Sequence, residues 1–283
     1  MRSEAIDFLA ASESFGSKRK LKLGDLRTLG MLTLDHGRLV PTVGGLLLFG
    51  KDWLGKFPDA YLRAGCFAGT DKTTIVDSTD ITSCFPAAVD EALAFDKRST
   101  RRSIGVGGAR NAETWEYPLV AVREAVVNAM VHADYGQRGW PLRLAVFRDR
   151  IQIDNPGGLP AGLAISDIRQ GVSKLRNRVL GRVFHALGLI EQWGSGIQRM
   201  TNACLQPACP NPSWKRSAPA SASRFVARPQ ASPPWMPSTR SSSTSCAAPL
   251  GYPPNRSPRR SSAPLAPRAI VSDAWYEAVF SPR

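Results

Sequence analysis

The sequence predicts an α+β fold of two layers, preceded by a smaller α/β segment and followed by a tail that does not fold. A strongly amphipathic helix begins at Pro118, and two alternating strand patterns, 142–147 and 151–154, follow it around a short turn. The composition then changes sharply. From Pro207 onward the chain has 15 of its 22 prolines, 15 serines and only two acidic residues. A segment of this composition buries too little apolar surface to fold.

Residues 1–100 are predicted to form the smaller α/β segment. Apolar residues at a helical period predict helices, strict alternation predicts strands, and Thr, Pro and Gly mark the helix ends. The predicted elements are helices over 5–12 and 23–32, a short buried helix between Thr42 and Gly50, strands over 61–67 and 74–77, and a helix from Pro86 to about Phe95.

Residues 101–206 are predicted to form the main domain. Its predicted elements are the helix from Pro118, strands over 142–147 and 151–154, a loop over 155–160, a helix over 179–187 ended by Gly188, and a helix that begins near Ile197. The loop is predicted because a proline and two glycines interrupt any regular element. Order is expected to end close to Leu205.

The net charge is +14 at pH 7, of which the segment after residue 206 contributes +8. A basic chain is typical of nucleic-acid binding, but most of this charge lies outside the predicted fold and therefore indicates little. The five cysteines are scattered without metal-ligand spacing, which predicts unpaired thiols. No apolar run is long enough to span a bilayer, so a cytoplasmic protein with no membrane partner is expected.

Residues 45–51 read G-x-x-x-x-G-K, the start of a phosphate-binding P-loop. Asp52 stands where such a loop needs Ser or Thr, and the intervening Leu-Leu-Leu-Phe favours burial rather than an exposed loop. The heptad is therefore interpreted as part of a buried helix. Helicase activity is not expected.

Glu124 and Asn128 are four residues apart, so both side chains lie on one face of the predicted helix. There a carboxylate could activate a water molecule while the amide oxygen binds magnesium. The alternative is a solvated Glu and an incidental Asn. His132, which follows on the same helix, is interpreted as a packing residue.

Two further positions suggest a nucleotide site. Asp154, at the end of a strand, could accept a hydrogen bond from an exocyclic amine such as that of adenine, or it could simply belong to a turn. Gly194-Ser195-Gly196 precedes a helix, and the exposed N–H groups of such a segment suit phosphate.

Taken together, residues 123–135, 154–160, 176–177 and 188–197 closely resemble the HATPase-like C-terminal region of bacterial RecG-related, AlbA-domain-containing transcriptional regulators. Residues 41–51 and 67–71 resemble the same family, so the likeness extends over about residues 5–206. The resemblance implies a GHKL-like (Bergerat-type) fold, similar to that of gyrase and histidine kinases, which binds ATP and Mg²⁺ between helices and a mixed sheet.

The resemblance also implies roles for particular residues. By position they are Glu124 as general base, Asn128 as magnesium ligand, Asp154 as adenine contact, Gly158, Gly194 and Gly196 as loop glycines, and Lys174 and Arg176 as part of a lid over the phosphates. Pro156 stands where the GHKL motif has its first glycine, and proline fixes φ and donates no hydrogen bond. We therefore expect ATP binding with at most slow turnover.

The implied function is an ATP-binding module of a DNA-linked transcriptional regulator, in which ATP switches conformation or dimerisation. DNA contact is expected mainly through flanking domains, and a homodimer is one arrangement that the resemblance allows. The alternative is a nucleotide-independent DNA-binding or protein-interaction module, or a remnant without function. Residues 207–283 are interpreted as a disordered tail, either genuine or the product of a shifted reading frame.

Overall fold

The computed structural model describes residues 5–16, 20–105, 112–160, 162–164, 166–167, 172, 174–190, 196–205, 213–217 and 222–227. All of them belong to the first of two compact units, Met1–Pro233. The helices of this part are α1 (Phe8–Phe15), α2 (Leu23–Thr28), α3 (Val43–Phe49), α4 (Phe85–Ser99), α5 (Leu119–His132), α6 (Arg178–Ala186) and α7 (Gly196–Leu205). The strands are β1 (Leu32–Asp35), β2 (Arg38–Pro41), β3 (Leu62–Phe67), β4 (Ile75–Ile81), β5 (Arg102–Gly105), β6 (Ala112–Trp115), β7 (Leu142–Val146), β8 (Ile151–Pro156), β9 (Ser213–Ser217) and β10 (Ala222–Ala227).

The central sheet has six strands in the order β4-β3-β7-β8-β10-β9. Strands β3 and β7 are parallel, and the other neighbours are antiparallel. The sheet is therefore mixed, and the predicted α+β class is confirmed. Strands β3 and β4 precede residue 100, so the predicted boundary between residues 100 and 101 falls within one sheet rather than between two.

One face of the sheet packs against α4 and α5. Apolar side chains at alternate strand positions, which period 2 places on one face, belong to the same buried core as α5. They are Leu62, Ala64, Leu142, Leu144, Val146, Ile151, Ile153, Phe225 and Ala227. The helix contributes Val122, Ala125, Val126, Ala129 and Met130 to this core, as its apolar stripe predicts.

The opposite face of the sheet carries charged side chains of β3, β4, β7 and β8, and we call it the polar face. Arg63 on β3 and Asp80 on β4 form a bidentate ion pair, with Nε–Oδ1 and Nη2–Oδ2 distances of 2.7 and 2.9 Å. Arg143 on β7 is in register with Arg63, and Asp154 on β8 is in register with Arg143. Directly paired residues share a face, so Asp154 lies on this polar side.

The P-loop-like segment lies in helix α3 as interpreted, except for Gly50 and Lys51, which follow the end of the helix. The Thr42 hydroxyl accepts a hydrogen bond from the Gly45 N–H at 3.0 Å and donates one to the Gly30 carbonyl at 2.8 Å. Gly45 packs against the Met31 carbonyl so closely that a Cβ would overlap it. These contacts leave no exposed phosphate loop at this position.

Three expectations about elements are corrected. The helix predicted over 23–32 ends at Thr28, because Gly30 takes a positive φ of 78° and leads into the hairpin β1–β2. Strand β8 runs through Pro156, into the predicted loop, because β10 pairs with it along its whole length. Order does not end near Leu205, since β9 and β10 lie within the predicted tail. The rest of that tail lies outside the described residues.

Cys66, Cys84 and Cys204 form no disulfide in the described part of the chain. Among the described helices, none is long and apolar enough to cross a membrane.

Asp96 of α4 is a buried acid within this core. It is fully buried, and neither carboxyl oxygen has a hydrogen-bond partner in the described structure. Burial, reinforced by Glu116 and opposed by Lys97, raises the pKa of Asp96 from 3.8 to about 7. Between these two pH values the native state holds a proton that the unfolded state has lost, so the free energy of unfolding falls as pH rises.

We predict that Asp96→Asn removes this loss of stability. The free energy of unfolding, measured in urea, should fall between pH 5 and pH 8 in the wild type. This fall should exceed that of the variant by on the order of 2 kcal/mol, since one pKa unit corresponds to about 1.4 kcal/mol. Asp90→Asn, at an exposed position of the same helix, is the matched control and should follow the wild type. Parallel pH profiles for all three proteins would contradict the prediction.

Candidate functional site

Helix α5 presents Glu124 and Asn128 on one face, at the four-residue spacing that the sequence predicts. Glu124 is buried, with 3% of its surface exposed, and Asn128 is half-buried. Glycine at position 196, the first residue of α7, lies directly against both of them. A Cβ added to Gly196 would overlap Glu124 Oε1 and lie 3.4 Å from Asn128 Nδ2. The structure thus brings together three of the predicted site residues.

The contact of Gly196 with Glu124 and Asn128 lies at the N-terminal end of a helix. The N-terminal end of a helix has unsatisfied N–H groups and a partial positive charge, and both favour an anion. A carboxylate lies there now. The side-chain amide of Asn128 lies beside it on the next turn of α5, and an amide oxygen is a hard ligand suited to magnesium. Gly194, also predicted to belong to the site, lies outside the described residues.

Arg176 and Asn177 hold the end of α5. Arg176 donates from Nε to the His132 carbonyl at 3.0 Å and from Nη2 to the Gly158 carbonyl at 2.6 Å. Asn177 Nδ2 donates to the carbonyls of Val131 and Ala133 at 2.9 and 2.7 Å. Two of the Arg176 nitrogens therefore bind backbone carbonyls.

The turn after β8 is tied to the same place. The Pro156 carbonyl accepts a hydrogen bond from the Asp134 N–H at 2.9 Å. Gly157 follows with a positive φ of 92°, and a Cβ there would lie 2.7 Å from the Cβ of Asp134. Arg176 Nη1 lies 3.8 Å from Asp134 Oδ2. Gly158, predicted as a loop glycine, therefore lies in a turn braced by Arg176.

His132 is enclosed by this network. Burial, with a smaller contribution from the nearby Arg176 charge, lowers the pKa of His132 to about 4. The imidazole is therefore neutral at physiological pH, which suits the packing role predicted for it.

The remaining predicted residues are Asp154 and Lys174. Asp154 lies on the polar face of the sheet, opposite α5, where it accepts a hydrogen bond from Gln152 Nε2 at 2.8 Å. Lys174 is exposed. In the described residues no group of three or more His, Cys, Asp or Glu side chains could bind a metal.

Sequence reasoning missed Asn177 and Arg123. Arg123 Nη2 donates to the Leu189 carbonyl at 3.1 Å, which links α5 to the segment that precedes α7. Neither contact has a local pattern in the sequence, since each joins residues more than 40 positions apart.

Residues 139–222 match the protein family described as "Putative ATP-dependent DNA helicase recG C-terminal". This supports a RecG-related HATPase region that includes β7, β8, α6 and α7 and ends at the first residue of β10. The match begins after α5, so Glu124 and Asn128 precede it.

The fold is similar to the crystal structure of the DIP2311 protein from Corynebacterium diphtheriae, with a TM-score of 0.65 and 22% sequence identity. The alignment covers 81% of this chain and 46% of that chain, so this chain spans less than half of the other protein's length. At this identity the likeness establishes the fold alone. No curated protein matches the chain.

We predict that Gly196→Ala destabilises the protein because Glu124 is buried and has little room to withdraw. The loss in the free energy of unfolding, measured in urea, should be about 1–3 kcal/mol, as for other insertions into packed sites. Gly24→Ala is the matched control, since Gly24 lies in the first turn of α2 with open space around its Cα. It should be neutral or slightly stabilising.

Shortening the Glu124 side chain should remove most of the loss in the free energy of unfolding that Gly196→Ala causes. In a double-mutant cycle, Gly196→Ala made in a Glu124→Ala background should cost much less than in the wild type. Equal costs in both backgrounds would show that the two residues do not meet.

Proposed function

We propose that this chain binds magnesium-ATP between α5 and the N-terminal end of α7, and that the nucleotide switches its conformation or dimerisation. The observation that supports this most directly is the contact of Gly196 with both Glu124 and Asn128. The family match makes ATP the expected ligand, because it identifies a RecG-related HATPase region.

The residues present suit the bound group. Asn128 would hold Mg²⁺ through its amide oxygen, and the N–H groups at the start of α7 would face the phosphates. Magnesium, when bound, neutralises the phosphate charge. Glu124 lies one turn from Asn128, where its carboxylate could accept a proton from a water molecule. Its burial against Gly196 leaves little space for that water, which favours binding over rapid hydrolysis.

A switch function agrees with the position of α7. This helix packs along α5 and meets it at the carboxylate that a phosphate would approach. A phosphate and the buried Glu124 carboxyl group would compete for the same helix start, so nucleotide binding would be coupled to movement of α7. The wider role, in a DNA-linked transcriptional regulator with DNA contact through flanking domains, belongs to the same proposal.

The second candidate is a nucleotide-independent module that contacts DNA or protein. Two observations favour it. Arg176, expected over the phosphates, binds backbone carbonyls instead, and Asp154 lies on the face away from α5. In that case salt-dependent DNA binding without ATP is expected.

We predict that the full chain binds magnesium-ATP and that Asn128→Ala weakens this binding by about tenfold or more, since it removes the metal ligand. Isothermal titration calorimetry with ATP, with and without Mg²⁺, measures both effects. Asn202→Ala, which removes an exposed amide of α7, is the matched control and should bind as the wild type does.

Circular dichroism and thermal unfolding should first establish that each variant is folded. If the folded wild type binds no nucleotide, the proposed function is wrong and the second candidate stands. Equal affinities for the Asn128→Ala and Asn202→Ala variants would instead refute the role of Asn128.

A further inference from the structure

The direction of the side chains on β8 decides which of its polar residues face α5. Ile151 and Ile153 belong to the core that includes α5. Successive residues of a strand point to opposite faces, so Asn155 continues this inward series. Gln152 and Asp154 point the other way.

The register with the neighbouring strands gives the same answer. Ile153 is paired with Leu144 on one side and with Phe225 on the other, and both are core residues. Asp154 is paired with Arg143, whose register partner on β3 is the exposed Arg63. The acid therefore belongs to the polar face and is separated from α5 by the sheet itself.

Asn155 is held in one orientation. It is 7% exposed, and its Nδ2 donates a hydrogen bond to the Pro156 carbonyl at 3.2 Å. A carbonyl can only accept, so the amide nitrogen must face Pro156 and Oδ1 must face away. The Pro156 carbonyl is itself fixed by the Asp134 N–H, immediately beyond α5.

The fixed amide therefore presents an acceptor. Within the described part of the chain no donor occupies Asn155 Oδ1. This oxygen is neutral, so using it in a buried place does not require the desolvation of a charge, as a carboxylate would. A ligand with an N–H group at this position would satisfy it.

We infer that Asn155, and not Asp154, is the residue that recognises the base, with Oδ1 accepting a hydrogen bond from the 6-amino group of adenine. This inference rests on the proposed function. It fixes the direction of the nucleotide along α5, with the phosphates toward Gly196 and Asn128 and the base toward the turn after β8. It also gives the site a specificity, because guanine has a 6-oxo group, an acceptor that would face Oδ1 without a proton between them.

The test compares three nucleotides on the full chain by titration calorimetry with Mg²⁺: ATP, GTP and purine riboside triphosphate, which lacks the 6-amino group. The wild type should bind ATP about three- to tenfold more tightly than purine riboside triphosphate, the value of one net hydrogen bond, and should bind GTP most weakly. Asn155→Ala should bind ATP and purine riboside triphosphate equally.

Two further variants complete the test. Asn155→Asp retains an acceptor and should keep the preference for ATP, which also provides a readout if the alanine variant does not fold. Asp154→Ala, one residue away and on the other face, should keep the wild-type preference.

A preference lost in Asp154→Ala but kept in Asn155→Ala would overturn the inference and leave the proposed function intact. A folded wild type that binds none of the three nucleotides would overturn the proposed function itself, and this inference with it. The two failures are therefore distinct.

Discussion

The C-terminal end of α5 is the part of the structure on which the candidate site depends. The last carbonyls of a helix have no partner within it. Here those of Val131, His132 and Ala133 accept hydrogen bonds from the side chains of Arg176 and Asn177. Because Arg176 also binds the Gly158 carbonyl, one pair of neighbouring residues joins α5, the turn after β8 and the start of α6. The polar groups of α5 and β8 are thereby held at fixed positions relative to each other.

Features that depend on local sequence were predictable. The cap of α3, the extent of α5 and the hairpin β7–β8 follow from spacing and capping over a few residues. The same holds for Glu124 and Asn128, since four-residue spacing on a helix leaves one geometry, and for Gly196 at a helix start. The contact between Gly196 and α5 was suggested only by the order of the motifs.

Features that depend on strand pairing were not predictable from composition. Strand β10 alternates only briefly around Phe225 and Ala227, and the surrounding prolines and serines predicted disorder. Pairing with β8 holds β10 in the sheet although its own alternating pattern is short. The same pairing extends β8 to Pro156. The sheet face of Asp154 is a related case, because it follows from the pairing of Asp154 with Arg143. A motif is matched by residue type and does not say which face of the sheet a side chain takes. A shift of one residue along a strand places the side chain on the opposite face.

We propose that ATP lies on the α5 side of β8, with its phosphates at the start of α7. A crystal structure of the full chain with Mg²⁺ and a non-hydrolysable ATP analogue tests it most directly. We expect the metal to lie on Asn128 and the 6-amino group to lie within hydrogen-bonding distance of Asn155 Oδ1. A nucleotide bound on the polar face beside Asp154, or crystals grown at saturating nucleotide with none bound at α5, would contradict it.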